Sequence, residues 1–451
     1  MGDSRKDPVT EELENCELEQ LAPYALKSKE RRGSLGTSFR EHDEPTPLEC
    51  RTEYHRDRDR IVWSRAFKRM QHKTQVFPHY VEDHYRRRLT HALEVAQIAT
   101  TVARALKLNE AATEAIALGH DLGHAPFGHA GERALNKKLV DLLKGRKFKK
   151  FKGKKYPVPV FGFDHCVHSV EVVSRVEREY CMGNSGYYGL NLTFDVRDGI
   201  LKHMRKDPKR RGPLSTVKKV VKYPSFAKFE DNMGSLEAQC VYFADKVAYL
   251  LGDIEDGIRG DIFSCNELEK DHFIEAVWAE HRKRRPEEHL ERLNISDVDS
   301  YLGFRRKALA ALILNVRETA EEQIRDQGIG SIDDVFTYNQ RIVEVSENLE
   351  SSWDSFRDQW MIGQLYKHKD VMAAEFKAVK IITDLFDAYM ESQDLIDHDY
   401  YGNSCQVYRN LGITDERVLH LITVRNYIAG MTDPFAAHQH SRLFTASEHV
   451  R

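Results

Sequence analysis

The sequence has few of the features that mark secreted, disulfide-bonded or membrane-spanning proteins. Its seven cysteines are dispersed and include no CxxC pair, which argues against a disulfide framework and against a zinc site built from thiolates. The N-terminal segment has no apolar stretch of the kind found in signal peptides. No apolar run is long enough to span a bilayer. We therefore expect a soluble protein of the reducing cytoplasm that makes no membrane contact.

The sequence also has little net charge and few strand-like patterns. A formal net charge of -3 creates no overall field toward nucleic acid or membrane. Apolar residues with helical spacing dominate from residue 51 onward, whereas the alternating pattern of half-buried strands is scarce. These features predict an all-α fold. The longest helical patterns lie at 84–108, 110–121, 236–251, 300–327, 331–393 and 415–430.

Two basic runs interrupt the helical patterns. Residues 144–155 read KGRKFKKFKGKK, and residues 202–222 contain a second run. One interpretation is that each is a solvated loop. The alternative is a basic lid over a polyphosphate, or a contact for single-stranded nucleic acid, in which Phe148 and Phe151 stack on bases. Both interpretations stay open at this point.

Two imidazoles and two carboxylates form a candidate metal site. His91 lies on the inward stripe of its predicted helix, and His120-Asp121 ends an apolar helix. Asp245 falls among apolar residues at helical spacing, so its carboxylate faces the core. Imidazole and carboxylate groups suit a divalent ion that keeps open positions for water and substrate oxygens.

Each of these residues is weak evidence by itself. The His-Asp dipeptide also occurs at His42-Asp43 and at His398-Asp399, but neither has an apolar helix in support. A buried Asp245 is costly unless it is paired or binds a metal. A salt bridge between helices explains Asp245 alone equally well, whereas the four residues together favour a metal.

Three titratable side chains follow the dipeptide at once. They are His124, His129 and Glu132, in the segment DLGHAPFGHAGE. Histidine titrates near neutral pH, so this grouping beside a metal favours general acid–base chemistry. The alternative is that the histidines only satisfy backbone groups in a tight glycine-rich loop.

Six sequence blocks, in order, resemble the HD-domain deoxyguanosinetriphosphate triphosphohydrolases over roughly residues 51 to 435. The resemblance implies an HD-type helical fold, homo-oligomers (tetramer or hexamer), and hydrolysis of a dNTP to deoxynucleoside and inorganic triphosphate, with dGTP favoured. The blocks are HRDRDRIVWSRAFKRMQHKTQVF (55–77), RRLTHALEVAQIA (87–99), LGHDLGHAPFGHAGE (118–132), NLTFDVRDGILKH (191–203), ADKVAYLLGDIEDGI (244–258) and YIAGMTD (427–433).

The resemblance also implies roles for individual residues. The implied metal ligands are His91, His120, Asp121 and Asp245. The implied catalytic group is His129 with Glu132, supported by His124 and His165. Positions that read the deoxyribose are Gln75, Tyr249 and Asp253, and positions that bind phosphate are Arg88 and Lys246. Helical spacing independently places Tyr249 and Asp253 on the same face as Asp245.

Three parts of the chain are expected. The polar composition of residues 1–50 indicates a flexible arm that is mobile or ordered by a partner. Residues 51–265 are expected to form a helical catalytic core with the basic insertion, and 266–451 a C-terminal helical region for the nucleotide site and oligomer contacts. We expect Mn²⁺ or Mg²⁺ as the cofactor, with iron, cobalt or zinc as alternatives.

Departures from the family pattern concern base preference and regulation. They are Cys166-Val167-His168 after the FDH segment, Arg425-Asn426 before YIAGMTD, and the basic run 144–155. Two other functions stay open: hydrolysis of another nucleotide phosphoester by the same metal site, and nucleotide sensing or single-stranded nucleic-acid binding without catalysis.

Overall fold

The computed structural model describes residues 7–29, 40–42, 44, 50–74, 86–145, 149–151, 154, 160–178, 188–203, 232–285 and 293–445. Within these ranges the chain is helical and has no β-strand, only the isolated bridges Arg40–Thr193 and Thr74–Arg87. The all-α prediction is confirmed. None of the described helices is both long and apolar enough to cross a membrane.

Eighteen α-helices are found in the described part of the chain. The first nine are α1 (Pro8–Gln20), α2 (Glu53–Trp63), α3 (Arg65–Arg69), α4 (Arg88–Ala105), α5 (Glu110–Gly119), α6 (Gly128–Leu142), α7 (His165–Glu171), α8 (Phe194–Lys202) and α9 (Leu236–Arg259). The second nine are α10 (Cys265–Leu268), α11 (His272–Arg284), α12 (Val298–Asp326), α13 (Ile332–Thr337), α14 (Glu347–Phe356), α15 (Lys369–Glu391), α16 (His398–Asn410), α17 (Glu416–Ala429) and α18 (Asp433–Phe444). Segments of π-helix follow α7 at Val172–Val176 and α14 at Arg357–Ile362.

Three helices that carry the candidate site begin at residues whose side chains cap the helix N-terminus. Asn109, Asp164 and Ser235 each accept a hydrogen bond from a backbone N–H in the first turn of α5, α7 and α9. Such a cap satisfies a donor that would otherwise lack a partner and stabilises a helix by about 1 kcal/mol. The start of each of these helices is therefore fixed locally.

Packing among α4, α5 and α9 brings distant parts of the sequence together. Each of these helices contacts the other two, and α5 also contacts α2 and α8. Their apolar faces belong to one hydrophobic core whose buried side chains run from Ala22 to Val371. Buried residues of this core lie on both sides of residue 265, so the boundary expected there does not separate two hydrophobic cores. The division of the chain into functional parts stays a prediction.

The described part of the N-terminal segment, which composition indicated as a mobile or partner-ordered arm, lies against the core. Residues 7–29 contain α1 and then pack on the core, where the backbone N–H of Leu26 donates to Glu237 Oε1 at 2.8 Å. Further along, Arg40 forms buried ion pairs with Glu53 and Asp57 at 2.6 and 2.7 Å. The polar composition alone does not show these contacts, since the partner of the Leu26 N–H lies 211 residues along the chain.

A buried ion pair joins α7 to the C-terminal helices. Arg425, on α17, pairs with Glu171, whose Oε1 also accepts the Tyr408 hydroxyl at 2.5 Å. Asn426 donates to the same hydroxyl at 2.6 Å. The Arg425-Asn426 departure from the family pattern therefore lies in a network that fixes the end of α7.

Arg425→Leu is expected to destabilise the protein by about 3–5 kcal/mol, because it leaves the buried Glu171 carboxylate without its cation. Chemical denaturation monitored by circular dichroism measures this loss. Arg409→Leu is the matched control, since Arg409 pairs with Glu416 in a largely exposed position and its loss should destabilise the protein far less. Equal effects of the two substitutions would contradict the assignment.

Candidate active site

The four candidate metal ligands converge at one place. His91 lies on α4, His120 and Asp121 follow the end of α5, and Asp245 lies midway along α9. His91 Nε2 is 2.8 Å from Asp245 Oδ1. His120 Nε2 is 3.4 Å from Asp121 Oδ1 and 3.9 Å from Asp245 Oδ1. The His120 ring thus lies within 4 Å of both carboxylates, and Asp245 also bonds His91, so contacts link all four residues.

The protonation of His120 fits a metal ligand. Its Nδ1 lies 2.6 Å from the carbonyl oxygen of Ala117, which only accepts, so Nδ1 carries the proton. The opposite nitrogen, Nε2, is buried and has no hydrogen-bond partner. A buried nitrogen lone pair between two carboxylates is a favourable position for a divalent cation. The environment of His120 therefore fits a bound divalent cation.

Both carboxylates are ionised at neutral pH. Burial alone would raise the pKa of Asp245, but the hydrogen bond with His91 and the neighbouring imidazole of His120 lower the pKa to about 2. Burial would likewise raise the pKa of Asp121, yet His120, His124 and Arg88 hold the pKa well below its usual value. Deprotonated carboxylates are the form that binds metal.

A second cluster of titratable groups lies beside the first. Glu132 Oε2 is 3.2 Å from His129 Nδ1, and Glu132 Oε1 is 3.0 Å from His165 Nδ1. The ring of His124 stacks on that of His165, with centroids 3.8 Å apart. His124 Nε2 also lies 3.2 Å from Asp121 Oδ1, so Asp121 borders both clusters.

The charges of the second cluster are mutually dependent. Burial would raise the pKa of Glu132, but His165 and the hydrogen bond with His129 hold the pKa well below its usual value. Burial would lower the pKa of His165, whereas the Cys166 sulfur and Glu132 raise it well above its usual value. Glu132 is therefore an anion that holds two imidazoles.

Close packing holds the loop after α5 against α7. A Cβ added at Gly123 would lie 2.2 Å from the backbone nitrogen of Ser169, so this position requires glycine. The Ser169 hydroxyl donates to the carbonyl oxygen of His120 at 2.8 Å and accepts the N–H of Gly123 at 2.9 Å. These bonds position His120 relative to His165.

The YIAGMTD segment positions the same loop from the other side. Asp433 accepts the backbone N–H groups of Thr74 and Phe127 at 2.8 and 2.9 Å. The buried ammonium of Lys73 donates to the carbonyl oxygens of His124 and Ala429. This C-terminal block therefore holds the loop that leads to His129 at the start of α6.

Comparison with known proteins agrees with this geometry. Residues 88–250 match the HD domain, and residues 343–442 match the phosphohydrolase-associated domain. The chain is 38% identical to a deoxyguanosinetriphosphate triphosphohydrolase-like protein of Ralstonia pickettii (strain 12J), over 94% of each chain. Like-named proteins of Bordetella pertussis (strain Tohama I) and Geobacter sulfurreducens (strain PCA) are 36% and 34% identical, covering 95% and 98% of this chain and 97% and 99% of their own lengths.

The chain belongs to this family of HD-domain phosphohydrolases. The HD-domain match contains all four candidate metal ligands, and the phosphohydrolase-associated match covers α14 to α17 and most of α18. HD domains are typically dependent on a divalent metal, which agrees with the fit of the His120 environment.

The positions assigned to phosphate have internal partners in this HD phosphohydrolase. Arg88 is buried, and its Nη1 pairs with Asp121 Oδ2 at 2.5 Å, while its Nε has no hydrogen-bond partner. Lys246 pairs with Glu350 at 2.5 Å and lies over the ring of Trp353. Arg88 is therefore in the site, whereas Lys246 contacts α14.

The positions assigned to the sugar are only partly described. Gln75 lies outside the described residues. Tyr249 is half-buried, one turn beyond Asp245. Asp253 is fully buried, where its carboxylate accepts Arg86 at 3.0 Å and the Tyr366 hydroxyl at 2.8 Å. Burial, with a contribution from a nearby carboxylate, raises the pKa of Asp253 to about 8 despite the guanidinium.

Several site residues were missed by reasoning from sequence. The buried ring of His203 lies 5.0 Å from that of His120, between ring centroids. His203 is the last residue of the NLTFDVRDGILKH block, so its place in that block could have marked it as a site residue. Arg86 and Tyr366 converge on Asp253 from segments without any short motif. Most of the basic run 202–222, and half of the run 144–155, lie outside the described residues.

A separate arginine-rich cleft of about 570 Å³ lies between the π-helical segment Val172–Val176 and the helices α16 and α17. Its lining includes Arg65, Arg69, Arg175 and Arg178, and none of the candidate metal ligands. The converging side chains, and not this cleft, therefore define the candidate active site.

Proposed function

We propose that the protein hydrolyses deoxynucleoside triphosphates, dGTP among them, to the deoxynucleoside and inorganic triphosphate. The metal-binding residues in this proposal are His91, His120, Asp121 and Asp245. A divalent ion held there, Mn²⁺ or Mg²⁺ by expectation, supplies Lewis acidity to the phosphate and makes water a stronger nucleophile near neutral pH. The names of the relatives support the substrate class.

One observation carries the proposal. Asp121 Oδ1 lies 3.4 Å from His120 Nε2 and 3.2 Å from His124 Nε2. An acid–base cluster therefore borders the metal-binding residues directly. A purely structural metal would not need titratable imidazoles beside it, so this adjacency favours catalysis.

His129 is the general acid in this proposal. Water attacks the α-phosphorus, the bond from phosphorus to the 5′ oxygen breaks, and that oxygen takes a proton from His129. Glu132 holds Nδ1 of the ring, so Nε2 is directed to substrate, and 56% of the His129 side chain is exposed. The exposure suits a group that must reach a bound ligand.

Arg88 offsets negative charge on the phosphate. Its guanidinium reaches Asp121, and its unpartnered Nε is a buried donor beside the metal-binding residues. A fixed cation in such a position stabilises charge that develops on phosphate oxygens. Lys246 has the same proposed role, which requires it to exchange its contact with Glu350 for substrate.

Product analysis tests the proposal against hydrolysis of another phosphoester. Each dNTP is incubated with the protein and Mn²⁺ or Mg²⁺, singly and in pairs, and the products are separated by ion-exchange chromatography. Inorganic triphosphate in equal amount to deoxynucleoside is the expected result. Orthophosphate or pyrophosphate as the first product would support the alternative reaction, and salt-dependent binding of single-stranded DNA without turnover would support a non-catalytic role.

Tyr249→Ala is expected to reduce the preference for dNTP over NTP by about tenfold or more, because the ring would no longer exclude a 2′-hydroxyl. The ratio of kcat/KM for dGTP and GTP measures the effect. Tyr249→Phe is the matched control, since it keeps the ring and should keep the preference. An unchanged ratio in Tyr249→Ala removes the residue from the sugar site.

Assembly and location stay predictions. The resemblance leads us to propose a cytoplasmic tetramer or hexamer, to be measured by light scattering with and without dNTP. Contact of the basic runs with single-stranded nucleic acid is likewise proposed from composition alone.

A further inference from the structure

A third group of potential ligands lies next to the acid–base cluster and includes a sulfur atom. Cys166 Sγ is 3.5 Å from His165 Nε2 and 3.9 Å from His203 Nε2. All three side chains are buried, and their ligand atoms lie within 4.8 Å of one another. None of the three is among the proposed ligands of the catalytic ion.

The opposite nitrogen of each ring is held by an oxygen. His165 Nδ1 lies 3.0 Å from Glu132 Oε1, and His203 Nδ1 lies 2.7 Å from the carbonyl oxygen of Ile200. Both Nε2 atoms therefore face the sulfur. Histidines that bind metals show this arrangement, in which a carboxylate or a backbone carbonyl fixes the ring from behind.

The distances agree with a shared tetrahedral ion. Zn–S and Zn–N bonds of about 2.3 and 2.0–2.1 Å at a tetrahedral angle place a thiolate sulfur and an imidazole nitrogen about 3.5 Å apart. The two separations of 3.5 and 3.9 Å require little movement to reach that value. We propose that His165, Cys166 and His203 form a second, thiophilic metal site that takes Zn²⁺ or Cd²⁺.

Ligand chemistry separates this site from the first. A thiolate selects zinc-like ions, whereas the carboxylate-rich site beside it accepts Mn²⁺ and Mg²⁺. Formation of the sulfur–metal bond breaks the S–H bond and releases that proton, with any proton on the ring Nε2 atoms, to solvent. The bound ion occupies the His165 ring, which Glu132 holds and which stacks on His124 in the acid–base cluster, so zinc inhibits turnover. The inhibition rests on the proposed function, whereas the binding does not.

Cadmium titration reads out the sulfur ligand directly. Cd²⁺ bound to a thiolate gives an ultraviolet charge-transfer absorption, and none of the four residues proposed to hold the catalytic ion contains sulfur. The Mn²⁺-loaded protein is expected to develop this band, saturating at one equivalent, and Cys166→Ser is expected to lose it. Cys405→Ser is the matched control. Cys405 is as deeply buried as Cys166, but its sulfur contacts the hydroxyl of Thr423 at 3.7 Å. Cys166→Ala replaces the serine variant if the latter does not fold.

Zinc inhibition tests the consequence. With Mn²⁺ in excess, Cys166→Ser is expected to retain turnover and to need about tenfold more Zn²⁺, or higher, for half inhibition. Loss of the cadmium band in Cys405→Ser, its persistence in Cys166→Ser, or its absence from the wild type overturns the site. Equal zinc sensitivity of wild type and Cys166→Ser overturns the inhibition. If no dNTP is hydrolysed at all, the proposed function fails while the cadmium titration still decides the site.

Discussion

Asp245→Asn is expected to lose the bound divalent ion and to lower kcat by about 10³-fold or more. The carboxylate lies 2.8 Å from His91 Nε2 and 3.9 Å from His120 Nε2, and a neutral amide is a poor replacement for an anionic ligand. Metal activation contributes several kcal/mol to such reactions, and each 1.36 kcal/mol is a factor of ten in rate. Metal content per chain and turnover of dGTP are the two measurements.

Asp256→Asn is the matched control for this experiment. Asp256 is also buried on α9, but it faces Arg86 at 3.6 Å and not the metal-binding residues. It should therefore keep the ion. An Asp245→Asn variant that retains both the ion and the wild-type rate would show that Asp245 serves only as a salt-bridge partner of His91.

His129→Ala is expected to keep the ion but to lower kcat by about 10²–10⁴-fold, the usual contribution of general acid–base catalysis. The imidazole is held by Glu132 at 3.2 Å and lies 5.2 Å, between ring centroids, from His124. Its loss leaves the metal-binding residues in place and removes the proton donor for the 5′ oxygen. Turnover and metal content, measured together, distinguish this variant from Asp245→Asn.

His440→Ala is the control for a histidine held by a carboxylate elsewhere. His440 Nε2 lies 2.8 Å from Asp384 Oδ2, between α18 and α15, and its removal should not change kcat. Wild-type turnover in His129→Ala would refute the role of general acid, and loss of metal there would make His129 a ligand instead.

Helical periodicity predicted the all-α fold well, because the spacing of apolar residues that indicates an amphipathic helix lies within the helix's own sequence. The pattern at 300–327 corresponds to Val298–Asp326, and the pattern at 415–430 to Glu416–Ala429. The core-facing position of Asp245 followed from the same periodicity. The convergence of the two imidazoles and two carboxylates was likewise a sequence-based expectation that the helix packing reproduces.

Contacts between distant segments were beyond this reasoning. Arg88 was expected to bind phosphate, but no local pattern indicates that it also pairs with Asp121. Composition did not indicate that residues 7–29 pack on the core, because the partner of Leu26, Glu237, lies 211 residues away. His203 was inside a recognised block, yet only the packing of α7 and α8 shows that its ring faces Cys166.

Anomalous diffraction from crystals grown with Mn²⁺ tests the central claim most directly. The account predicts one strong manganese peak within bonding distance of His91, His120, Asp121 and Asp245. A peak at other residues, or none at a Mn²⁺ concentration that supports turnover, would contradict it.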